Sequence, residues 1–73
     1  MGYYIVYAKF DEHTDFHAFN VKEGRIVRRL AFASLMFNNE ASQQLLQELA
    51  ELNRRSNLVL QLRRKGRVCF QTK

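Results

Sequence analysis

The chain has 73 residues, a formal net charge of +5, one cysteine and no proline. A chain this short forms one domain, 1–73, and buries only about 60% of the surface its unfolded form exposes, so its stability is marginal. The lone Cys69 excludes the intrachain disulfide framework on which small secreted domains depend, and a reducing, cytoplasmic setting is the expectation.

Tyr3–Phe10 is rich in aromatic and β-branched residues and reads as a strand. Tyr3, Ile5 and Tyr7 alternate with Tyr4, Val6 and Ala8, so both faces are apolar, as in a central strand covered on both sides. The sequence DEHT turns the chain, and Asp15–Val21 returns as a second strand with Phe16 and Ala18 opposite His17, Phe19 and Val21. A second turn follows at KEG, where Gly24 can take the positive φ such loops need. Arg25–Phe32 is predicted as a third strand, placing Ile26, Leu30 and Phe32 opposite Val27, Arg29 and Ala31. The apolar run Leu30–Phe37 fits either a continuing strand or a short helix, because periodicity does not arbitrate over eight residues.

A helix comes next. Asn38 or Asn39 can cap its first turn and Glu40 suits its positive end. Ala41, Leu45, Leu46, Leu49 and Leu52 form one apolar arc, opposite Gln43, Gln44, Gln47, Glu48 and Glu51. Asn53 terminates it, and Arg54 and Arg55 complement its negative end. Leu58, Leu60 and Leu62 then alternate with Val59, Gln61 and Arg63 before RRKGR turns through Gly66 into Val68–Thr72. Val68 and Phe70 are expected to face the core of that hairpin, with Arg67, Cys69 and Gln71 turned outward. The predicted fold is therefore α+β: an antiparallel sheet of about five short strands, order β-β-β-α-β-β, with one amphipathic helix on one face. A helix about 20 Å long and 10 Å wide covers less than half of a sheet some 24 Å across. A homodimer, or a dedicated partner, is expected to cover the rest.

Charge is distributed unevenly. Residues 1–51 hold five cations and all seven carboxylates, whereas residues 52–73 hold seven cations and none. Four of those seven, Arg63, Arg64, Lys65 and Arg67, surround one hairpin turn, with Arg54 and Arg55 expected nearby. A block without a balancing carboxylate exceeds what protection of an edge strand requires, and a ribbon tipped by arginines can grip phosphates. These six residues are the candidate binding site for an acidic partner, with nucleic acid the leading one. The alternative is a protein-interaction module or small inhibitor, of the phage or mobile-element kind, that dimerises or docks through an apolar sheet face. Carboxylates of Asp11, Glu12 and Asp15 close to the cations would count against a phosphate-directed surface.

Other chemistries find little support. His13, Asp15 and His17 are spaced two apart and would share a face of a strand, but a turn breaks that alternation and a fourth ligand is missing. Nothing in the sequence links Cys69 to a histidine, and the three glycines are isolated, so neither a nucleophile dyad nor a phosphate-cradling loop is present. Tyr3, Tyr4, Tyr7, Phe10, Phe16 and Phe19 can stack on bases, although the core of a small sheet also accounts for them. No enzyme, cofactor or metal site is expected. Val6 stands where a myristoylation motif wants Ser or Thr, and no apolar run reaches the roughly 20 residues of a membrane span.

Overall fold

The computed structural model describes residues 2–11, 13 and 15–72. Its elements are β1 (Tyr4–Lys9), β2 (His17–Asn20), β3 (Arg25–Ile26), β4 (Leu35–Met36), α1 (Asn39–Leu52), β5 (Val59–Arg64) and β6 (Arg67–Gln71). Short 3₁₀ turns fall at Leu30–Phe32 and Arg54–Ser56. The α+β class is as predicted: an antiparallel sheet in the order β3-β2-β1-β5-β6, with one helix packed against the strands. β4 is the addition. It pairs with β1 at Tyr4 and Ile5, while β2 pairs with β1 at Tyr7 and Ala8, so two short strands share one edge of β1 end to end.

The alternation of β1 governs the two faces. Val6 and Ala8 are fully buried with Phe19, Leu46, Leu58, Leu60 and Leu62, and Tyr4, Phe10, Ile26 and Phe70 pack around them. This is the helix side. α1 starts where Asn38 accepts a hydrogen bond from the Ala41 N–H, and ends where the Asn53 side-chain amide donates to the Leu49 carbonyl. Its buried edge is narrower than the predicted arc. Ser42 and Leu46 are buried and Leu49 and Ala50 pack beside them, whereas Ala41 and Leu45 are exposed and Leu52 is 82% exposed. A short helix lying on a twisted sheet touches it along one ridge, so the outer half of the arc has nothing to meet.

On the other face of β1, Ile5 and Tyr7 pack on Ala18, Val27 and Ala33. Residues 27–34 supply that cover, which corrects the predicted third strand. Regular pairing of β3 ends at Ile26, and the chain then crosses this face through the Leu30–Phe32 turn instead of continuing as a strand to Phe32. The reason is the vacancy beside β1 beyond the end of β2. Ser34 reaches it and joins the strands: its N–H donates to the Phe19 carbonyl, its hydroxyl accepts from the Val21 N–H, and its carbonyl accepts from the Val6 N–H. The crossing segment thereby supplies part of the cover that helix width alone had assigned to a second copy.

β5 and β6 form the expected hairpin. Lys65 (φ 53°) and Gly66 (φ 79°) both take left-handed conformations, the signature of a type I′ two-residue turn whose twist matches the strands. One expected orientation is overturned. Leu62 pairs with Phe70 but Arg63 pairs with Val68, so a bulge absorbs one residue of β6. Phe70 keeps its place against the core, while Val68 moves to the Arg63 side and is 51% exposed. Beyond β6, buried Thr72 closes the ladder: its hydroxyl accepts from the Leu60 N–H at 2.9 Å, and its N–H donates to the Leu60 carbonyl at 2.9 Å. No helix among the described residues is long and apolar enough to cross a membrane.

Candidate nucleic-acid interface

The hairpin turn holds Arg63, Arg64, Lys65 and Arg67 within five consecutive residues. Arg64 pairs across the ladder with Arg67. Like charges directly opposite repel, and that arrangement persists only where solvent or an anion screens it. Two ion pairs form among the described residues, Arg25 with Glu23 and Arg54 with Glu51, and neither involves the hairpin.

Arg54 and Arg55 do not join this group, against the expectation that they lie nearby. They occupy the 3₁₀ turn that precedes β5, while the hairpin turn follows it. The six residues of β5 at about 3.3 Å each put roughly 20 Å between them. Arg54 is 3.6 Å from Glu51 with both side chains largely exposed, a pair that contributes little. The same antiparallel geometry answers the question of the acidic turn. β1 ends where β5 begins, so Asp11 accepts a hydrogen bond from the Asn57 side chain and its N–H donates to the Ser56 carbonyl. Asp11 is thus a strand's length from the hairpin turn, whereas Asp15 adjoins Phe16, whose ring lies under the Lys9 ammonium and has its centre 5.9 Å from the Arg63 guanidinium. Glu12, Thr14 and Lys73 lie outside the described residues.

Strand register decides where Arg63 points. Ile5 pairs with Arg63, Tyr7 with Gln61 and Lys9 with Val59, so these six residues share the face opposite the helix. There the Arg63 guanidinium lies 4.0 Å from the Tyr7 ring centre and 5.9 Å from that of Phe16. Its Nε donates to Gln61 Oε1, and Gln61 in turn donates to Gln71, which anchors the guanidinium over the ring. The Arg64 guanidinium lies at the start of β1, 5.5 Å from the Tyr4 ring centre and close over Gly2, where a Cβ would collide with it.

The aromatic set is therefore divided. Tyr4, Phe10 and Phe19 pack in or against the helix-side core, while Tyr3, half exposed, and Tyr7 and Phe16 belong to the opposite face. With Lys9 and Arg63 they make a surface of rings and cations that treating the aromatics as one group did not isolate. The signal was available in the alternation of Tyr3, Ile5 and Tyr7, together with that of Val59, Gln61 and Arg63. Only the pairing of the two strands places these sets on one face.

Comparison of the chain with protein-family models, curated proteins and solved structures found no match. What the surface can bind follows from its own chemistry.

His13 and His17 do meet, with ring centres 5.2 Å apart and edge to face. No group of three or more His, Cys, Asp or Glu able to hold a metal forms among the described residues. Cys69 is exposed on β6, and β5 and β1 stand between it and His17 on β2.

Proposed function

We propose that the protein is a non-catalytic nucleic-acid-binding module whose C-terminal hairpin grips phosphates. The observation that carries this reading is the set of four cations around a type I′ hairpin turn, with Asp11 held at the opposite end of the sheet. Cations fixed on such a turn meet a polyanion without first losing the freedom of a flexible tail. Arg54 and Arg55 take part only when the ligand is long enough to reach them. Fluorescence anisotropy with a labelled oligonucleotide tests the reading. Binding with a dissociation constant of about 10⁻⁶ to 10⁻⁴ M near physiological salt, tightening as salt is lowered, is the expected result. A flat titration at low salt would falsify it.

A second reading, self-association, is favoured by a different surface. Leu35 and Leu45, both exposed, border a hollow of about 360 Å³ with Val21, Met36 and Leu49, and Phe37 next to them in sequence is 72% exposed. A second copy covering this region would bury the outer half of the helix arc. Sedimentation at micromolar concentration should then show a dimer that Leu35→Glu dissociates. A clean monomer across a hundredfold range of concentration sinks this reading and leaves the first intact.

A further inference from the structure

Next to the hairpin, on the face away from the helix, lies a cavity of about 360 Å³ lined by Gly2, Tyr3, Ile5, Tyr7, Leu30, Arg64, Lys65 and Gly66. Its lining is largely aromatic and aliphatic, two cationic residues, Arg64 and Lys65, contribute to it, and no carboxylate among the described residues lines it. The volume falls within the range of about 300–1,000 Å³ typical of small-molecule sites. An apolar hollow with rings on its walls suits a flat, weakly polar group, and adjoining cations suit an anion attached to that group. A nucleotide has both parts in that arrangement. Beyond the cavity, Tyr7, Arg63, Phe16 and Lys9 continue the same chemistry along the face. From Ile5 to Lys9 this extends about 13 Å at 3.3 Å per residue.

We infer that the protein binds single-stranded nucleic acid, with one unstacked base seated in the Tyr3–Tyr7–Leu30 cavity and its phosphates on Arg64 and Lys65. The inference rests on the nucleic-acid reading above and adds the strand state and the base site. A duplex keeps its bases stacked on one another and has none to offer the cavity, whereas a single strand presents every base's π-face. The Arg63 plane over Tyr7 is a second stacking surface for the neighbouring base. The cavity lies between the crossing segment, through Leu30, and the hairpin, which accounts for its place in the fold.

The test compares three labelled probes of about ten nucleotides, a length within single-strand site sizes. They are an oligothymidylate, a strand of the same length built of abasic sites, and a duplex. The abasic strand keeps every phosphate and loses every base. Wild-type protein is expected to bind oligothymidylate about tenfold more tightly than the abasic strand, and more tightly than the duplex. Tyr3→Ala, at a half-exposed position ahead of β1, should remove most of that tenfold difference while leaving the abasic affinity unchanged. Arg64→Gln should weaken both strands alike. Equal affinity for the base-bearing and abasic strands, or preference for the duplex, overturns the base site and leaves the phosphate grip standing. No binding to any probe overturns both. Thymidine monophosphate shares the pocket chemistry without the neighbouring phosphates, so it should compete only at far higher concentration than the strand. Competition at the strand's own dissociation constant would assign the cavity to a free nucleotide and overturn the strand assignment. Because the abasic comparison uses the unaltered chain, it decides the matter even if Tyr3→Ala does not fold.

Discussion

Replacing Arg64 with Gln and Lys65 with Asn together should flatten the salt dependence of nucleic-acid binding by about half. Four engaged phosphates give a slope of log K against log salt of about −2.8 on a single strand and about −3.6 on a duplex. Losing two contacts lowers these to about −1.4 and −1.8, with affinity falling similarly on every sequence because phosphates carry no base identity. Asn suits position 65, since Lys65 already has a φ of 53° and Asn-Gly is a favoured type I′ pair. The variant should therefore keep the hairpin, and its unfolding midpoint should match or exceed that of the wild type. The matching change at Arg54 and Arg55 should leave the slope for a ligand of a few nucleotides unchanged, because those residues stand roughly 20 Å away along β5. If the slope is the same with and without the hairpin charges, they serve only to keep an edge strand from pairing with other chains. An acidic protein partner would answer the same change mainly through a slower on-rate.

Leu46→Ala should lower stability by about 3 kcal/mol, and Leu52→Ala by about 0.5 kcal/mol or less. Leu46 is fully buried among Val6, Ala8, Leu60 and Leu62, so its truncation loses transfer free energy and leaves a cavity that the sheet cannot close. Leu52 lies on the same predicted arc but is 82% exposed. At about 0.05–0.15 kcal/mol per residue the whole molecule has little to spare, so Leu46→Ala should be partly unfolded at physiological temperature. Urea titration followed by circular dichroism measures both variants, and the denaturant slope should stay constant if only stability changes. Equal losses at the two positions would mean that α1 docks on a different edge.

The helix and its Asn53 end follow from local preferences that act within a few residues and stand where the sequence places them, and of the two cap candidates, Asn38 and Asn39, the structure uses Asn38. The alternation of β1 and β5 was legible for the same reason, since a period of two needs no partner to be recognised. Residues 30–37 resisted because their conformation answers to a distant demand: the gap along β1 that Ser34 and β4 fill. Val68 was misplaced because a bulge shifts register by one residue, and a one-residue slip exchanges faces. The site divides in the same way. That the chain ends in a carboxylate-free block of cations around a tight turn is a property of the sequence alone, as is the sharing of a face by Tyr3, Ile5 and Tyr7. That Arg63 lies over Tyr7, that Leu30 closes a cavity beside Arg64 and Lys65, and that Arg54 and Arg55 stand a strand's length away were decided only by the tertiary structure. Local preferences specify which residues extend, turn or coil, but antiparallel pairing decides which ends of the chain meet, and neighbours in sequence across an extended strand are carried to opposite ends of the sheet.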